Sequence, residues 1–222
     1  LLEKIGENYE EIIFSIQDAL FQNYDFPHTN TNLDWTSFIL WGQHAEIAKY
    51  GYSRDHRPDK KQITVGIAEL ANPINIPYGL TIQSGNLNDQ THFKKTYAQI
   101  EPRLREYSRI VYDKGAQSKD NQNMILAGKM KYLSAKKFNT SDDKRIKVFS
   151  KNEATLIDPK DEIHGIKIRY PSRIDYFYFS EKLKKDQIEA KLRRAERKLR
   201  EAKEIQDSLD KNRQLPKRFR IN

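Results

Sequence analysis

The 222-residue chain contains no cysteine. Disulfides and thiolate metal sites are thereby excluded, a composition that suits a reducing cytoplasm. No apolar run approaches the ~20 residues a membrane span needs, so no membrane partner is expected. No leader pattern opens the chain either. Histidine is sparse: His28, His44, His56, His92 and His164 are scattered without ligand spacing, which argues against a zinc site. There is no internal repeat. The first residue is Leu1 rather than Met, as expected if the chain begins inside a longer protein or its opening residues are simply not included.

What is present is charge. The chain is 32% charged and 37% hydrophobic, enough for one core and an added subdomain. Its formal net charge is +9. A balance of that size favours a polyanionic partner, most often nucleic acid, and is equally compatible with plain solubility.

Hydrophobic spacing divides the chain. Residues 1 to 24 place Ile5, Tyr9, Ile12, Ile13, Ile16 and Leu20 at the three-and-four spacing of an amphipathic helix, followed by a polar connector through Pro27. Leu33 to Trp41, Ile63 to Leu70 and Tyr78 to Ser84 read as strands, the last two antiparallel neighbours. A helix from about Gln90 to Tyr107 carries Phe93, Tyr97, Ile100 and Leu104 on one face. A strand from Ile110 to Tyr112, a helix from Ser118 to Gly128 and a strand from Met130 to Leu133 follow. A helix between the third and fourth strands lets the fourth lie beside the first and parallel to it. The expected class is α/β: a ribonuclease-H-like mixed sheet flanked by helices.

Beyond Phe138 the pattern changes. Lys144 to Ser150, His164 to Tyr170 and Asp175 to Phe179 read as strands of a small separate sheet. Glu181 to about Asn212 reads as a long charged helix, with Ile188, Leu192, Ala195, Leu199, Ala202 and Leu209 near heptad spacing. That thin seam fits packing on one helix or on the protein body, or else a solvated arm. The expected organisation is a lead-in helix and connector (1–30), a ribonuclease-H-like core (31–138), a β-rich segment (139–180), and a charged helix with a basic tail (181–222).

The chemistry-bearing stretch is Arg109-Ile110-Val111-Tyr112-Asp113-Lys114-Gly115, a β-branched run ending in an aspartate and a glycine turn. Asp113 fits either an acid handed to a site at a sheet edge or a cap for the helix near Ser118. Upstream, a second strand-borne acid stands in Asp34-x-Thr36, whose side chains share a face because strand side chains alternate. Two carboxylates on adjacent strands, with no histidine partner, suit Mg²⁺ or Mn²⁺. Thr36 could orient Asp34, and Lys114 could reach a phosphate. Arg54, Arg57, Lys60 and Lys61 fall in one charged loop, which reads as a phosphate-contacting surface or as a solvated turn with local ion pairs.

Several segments together are more specific: Asp34-x-Thr36, the run from Gly51 to Ile63 containing Ser53-Arg54-Asp55-His56-Arg57-Pro58-Asp59, then Gly85-Asn86-x-x-Asp89, and Asp113-Lys114-Gly115 with Ser118 and Asn121. The region from about Asn32 to Leu133 resembles insertion-sequence transposases of the cut-and-paste DDE type. The resemblance implies Asp34 and Asp113 as catalytic acids and metal ligands, with Mg²⁺ or Mn²⁺ as cofactor and double-stranded DNA as partner. It also implies a homodimer in a synaptic complex and a prokaryotic, nucleoid-associated location in the cytoplasm. The family's last motif, Tyr-x-x-Arg-x-x-x-Glu-x-x-x-x-x-x-Lys, is matched by Tyr170, Arg173 and Lys184, but its glutamate position is Phe177. Glu181 is a substitute, Glu189 a poorer one, and the third acid is expected beyond Asn222. On that expectation the chain is a truncated transposase that binds DNA weakly and cleaves it poorly or not at all. The competing expectations are a remnant that only binds DNA or inhibits the complete enzyme, and a stand-alone nuclease.

Overall fold

Alternation organises the central strand. In β1 (Asn30–Ile39), Thr31, Leu33 and Trp35 are buried, while Asn32, Asp34 and Thr36 stand half-buried or exposed on the other face. The computed structural model describes residues 1–26, 30–42, 45–52, 56–71, 75–136, 138–142 and 154–211. The chain forms two units, Leu1–Lys137 and Phe138–Asn222.

In the first unit β2 (Gln62–Leu70) pairs antiparallel with β1, and β3 (Ile76–Ser84) antiparallel with β2. On the other side of β1, β4 (Arg109–Tyr112) pairs in parallel, and β5 (Lys131–Ser134) lies parallel to β4. The sheet is therefore mixed, ordered β3-β2-β1-β4-β5, and the unit is α/β. The first two helices are α1 (Leu2–Glu7) and α2 (Tyr9–Asn23), and the crossover from β3 to β4 is α3 (Asp89–Ile100). A single 3₁₀ turn, Glu101–Arg103, ends it short of the expected Tyr107, because Pro102 lacks the N–H that a continuing helix needs. Helix α4 (Lys119–Ala127) links β4 to β5 and is capped by Ser118, whose side chain accepts from Asn121 N at 3.1 Å.

Helix α3 covers the Trp35 face. Phe93 lies 5.8 Å from Trp35, 5.1 Å from Tyr112 and stacks on Tyr97 at 5.7 Å, all ring-centre distances. A buried polar chain runs through this apolar packing. His92 sits between Thr64 Oγ1 (3.1 Å) and Thr81 Oγ1 (2.9 Å), and Thr81 Oγ1 lies 2.8 Å from Thr96 Oγ1. Trp35 Nε1 completes the chain by donating to Thr96 Oγ1 at 3.1 Å. Burial pushes the His92 imidazole down to about 4, so it is neutral at physiological pH and has one donor and one acceptor nitrogen for its two threonines.

The N-terminal segment departs from its sequence pattern in two ways. The helix breaks at Asn8, separating α1 from α2, and its buried residue is Gln17. Ile5, Ile12 and Ile16 remain exposed, while Leu20 and Phe21 pack on the core. The reason lies in β3, where a bulge leaves Tyr78 without an opposing residue on β2. Gln17 Nε2 donates to that Tyr78 carbonyl at 3.1 Å, satisfying an edge-strand acceptor.

The second unit holds β6 (Thr155–Asp158), β7 (Ile163–Arg169) and β8 (Ile174–Ser180) in an antiparallel sheet of that order, then α5 (Glu181–Asp210). Ser180 caps α5 by accepting from Leu183 N at 3.1 Å. Lys182 pairs with Asp161 at 2.7 Å and Lys185 with Glu162 at 3.1 Å, tying the first turn of α5 to the β6–β7 turn. Strand β6 had no counterpart in the sequence reading. The expected strand Lys144 to Ser150 and the basic tail Leu215 to Arg220 lie outside the described residues. Among the described residues no helix is long and apolar enough to cross a membrane.

Candidate active site

Each of the two acids directly follows a paired position. β1 and β4 run parallel with Leu33 opposite Tyr112, so Asp34 and Asp113 are each the next residue past that pair. Asp34 is exposed and its Oδ1 accepts from Trp35 N at 2.8 Å. Asp113 is exposed, its Oδ1 accepting from Gly115 N at 2.7 Å and Ala116 N at 3.4 Å. Asp113 therefore closes its own turn, and the cap of α4 is Ser118 instead. Each carboxylate retains a second oxygen with no hydrogen bond to a described residue.

The turn after Asp113 is fastened to the start of α3. Buried Asn121 donates through Nδ2 to Ala116 O at 2.8 Å and to Gln90 O at 3.1 Å, and Gln90 Nε2 donates to Gln117 O at 3.0 Å. Those bonds draw Asp89, the first residue of α3, toward the same opening. A Cβ built on Gly115 would stand 2.5 Å from Asp89 Oδ2 and 2.9 Å from Asp113 Oδ1, so only glycine leaves both carboxylates in place. Asp89 was not among the site residues read from the sequence. Its signal was its place in Gly85-Asn86-x-x-Asp89, which reads equally well as a helix start. Among the described residues no three or more His, Asp or Glu side chains form a group that could hold a metal ion.

Thr36 and Asp89 both line a cleft of ≈ 230 Å³, together with Ser37, Tyr52, Thr64 and Gly115. Thr36 shares the face of Asp34, two residues along β1. Lys114 is exposed beside Asp113. Three members of the expected basic group, Arg57, Lys60 and Lys61, lie among the described residues. Arg57 forms a two-pronged pair with Asp59, at 2.8 Å for both bonds, which holds the Asp59 carboxyl down to about 2. The Arg57 guanidinium and the Lys60 ammonium lie 5.1 and 4.6 Å from the Trp41 ring centre. Lys61 follows, its carbonyl accepting from Leu40 N at 2.9 Å. Trp41 is seven residues from Asp34 and lies past the end of β1. Arg54 lies outside the described residues.

No family model and no curated protein matches the chain. Among solved structures it is similar to a piggyBac transposase synaptic complex with hairpin DNA, determined by cryo-electron microscopy, with a TM-score of 0.41 and 11% sequence identity. The match covers 69% of this chain and 33% of that one, so the chain spans about a third of that protein's length. A superposition this loose identifies neither fold family nor function.

Proposed function

We propose that the chain is the catalytic-domain portion of a DDE-type DNA transposase with a ribonuclease-H-like core. The observation that carries the reading is the parallel β1–β4 register in a β3-β2-β1-β4-β5 sheet, in which Asp34 and Asp113 each follow the Leu33–Tyr112 pair. The motif run from Asp34 to Asn121 supports it, since Asn121 and Gln90 are spent on holding the turn that presents Asp113. The donor set fits the proposed metal: hard carboxylate oxygens, one on each residue left without a bond among the described residues. Bound Mg²⁺ or Mn²⁺ activates a water or a 3′-hydroxyl and stabilises the leaving oxygen of a phosphodiester. Asp34 and Asp113 hold the ion, Thr36 orients Asp34, and Lys114 reaches a phosphate of the DNA. Arg54, Arg57, Lys60 and Lys61 contact the DNA backbone, and the active assembly is a homodimer on DNA.

The test is Mn²⁺ binding followed by electron paramagnetic resonance, beside duplex binding followed by anisotropy. Asp34→Asn and Asp113→Asn each lower Mn²⁺ affinity at least tenfold and leave duplex affinity within twofold. Mn²⁺ binding that survives both substitutions would overturn the reading. A second reading, a DNA-binding remnant that inhibits the complete enzyme, is favoured by one observation. Tyr170 and Arg173 make a β-hairpin turn, with the guanidinium 4.8 Å from the Tyr170 ring centre and paired to Asp175, and Phe177 follows in β8. A third acid on a helix is not at that place.

A further inference from the structure

Tyr52 combines a fixed backbone with a free ring. Its side chain is 85% exposed, an unusual state for an aromatic group whose main chain is clamped. Buried Gln62 donates through Nε2 to the Tyr52 carbonyl at 2.8 Å and to the Gly85 carbonyl at 3.1 Å. Gly51 presses on Gly85, where a Cβ on Gly51 would overlap the Gly85 carbonyl, and a Cβ on Gly85 would overlap the Gln62 carbonyl. Gly51, Gly85 and Gln62 thus meet with only the Gln62 side chain bridging them, and Tyr52 follows directly from that joint.

The position of the ring matters as much as its exposure. Tyr52 lines the cleft that holds Thr36, Asp89 and Gly115, and it also lines a second, more open cleft with Gly51, His56 and Pro58. It therefore belongs both to the cleft that Asp89 lines and to one lined by His56 and Pro58, which flank Arg57 in the basic loop. Cations beside an exposed π-face complement a phosphate backbone whose bases are free to stack. A base held in a duplex has its faces covered by its neighbours, so the occupant is unpaired.

We propose that Tyr52 is a stacking platform for an unpaired base of the DNA strand that enters the acidic cleft, an assignment that rests on the transposase reading above. Stacking uses the ring and not the hydroxyl, so Tyr52→Phe keeps the function and Tyr52→Ala loses it. Alanine substitution at a stacked base costs about 1–3 kcal/mol, which is about 5- to 150-fold in affinity. The experiment measures anisotropy of a labelled oligo-dT strand and of a blunt duplex, without divalent metal, on the wild-type chain and both variants. Expected are a loss of at least fivefold for Tyr52→Ala on the single strand, values within twofold for Tyr52→Phe, and no change on the duplex for either. Equal affinity of wild type and Tyr52→Ala for the single strand overturns the proposal, as does failure of the wild type to bind it. Equal loss on strand and duplex, or loss in Tyr52→Phe as well, also overturns it. Mn²⁺ binding at Asp34 and Asp113 is read separately, so a failed transposase reading and a failed platform give different results.

Discussion

The two units use hydrophobic residues in opposite ways. In the first, aromatic rings close over one another and a line of threonines threads between them to His92, each member of that line hydrogen-bonded to the next. In the second, no residue of β6, β7, β8 or α5 is buried, and Tyr178 is 73% exposed. Apolar area removed from water is what stabilises a fold, at about 25 cal/mol per Å². The first unit thus carries its own cohesion. Among its described residues the second shows backbone ladders, a His164–Phe179 stack, a helix cap and surface ion pairs such as Lys182–Asp161, the pairs each worth little on their own.

Three expectations put this contrast at risk, and the largest is in the core. Trp35→Ala removes the ring packed on Phe93 and leaves Thr96 Oγ1 without its indole donor. A loss of about 3–5 kcal/mol is expected, read as a shifted urea midpoint of the first unit, with the helical circular dichroism of α5 largely kept. If both units lost structure together, the division would fail. Next comes acid. His92 titrates near 4 when folded and near 6.5 when unfolded, so between those values only the unfolded chain takes up the proton. Its contribution is whole above pH 6.5 and is lost as pH falls through 4, by at most about 3 kcal/mol. Thermal melts from pH 7.5 to 4 should show the decline, and His92→Asn, though less stable at pH 7.5, should flatten it. An unchanged slope in the variant would remove His92 as the cause. The smallest effect is expected in α5, where Leu192→Ala changes the melting of either unit by less than about 0.5 kcal/mol. A loss as large as that at Trp35 would show that the α5 seam is covered after all.

The sheet could be read from the sequence because its signals are local. Alternation in Leu33-Asp34-Trp35-Thr36 and the turn residues at its ends fix which face each side chain takes. The parallel placement of β4 followed from the helix before it. The N-terminal helix was misread because its docking is decided elsewhere, by the bulge at Tyr78 that demands a donor and so buries Gln17 while isoleucines stay in water. Asp34 was legible on its strand and Asp113 at the end of β4, but the place of Asp89 was not. Its approach to Asp113 depends on Asn121 and Gln90, 31 residues apart, joining two segments by hydrogen bonds that no spacing rule encodes. For Arg57 the local alternative, an ion pair with Asp59, describes its side chain, and the ring of Trp41 beneath it was not foreseen.

The tryptophans have a practical consequence. The chain has two, six positions apart, one 2% and the other 71% exposed. Trp35 emits from within the core and Trp41 from beneath a pair of cations, so a soluble quencher such as iodide reaches only the second. One emission spectrum therefore carries two independent channels: a blue-shifted signal that fades on unfolding, and a red-shifted signal that changes when a polyanion displaces Arg57 and Lys60. The protein can be titrated and melted in the same cuvette without any added label.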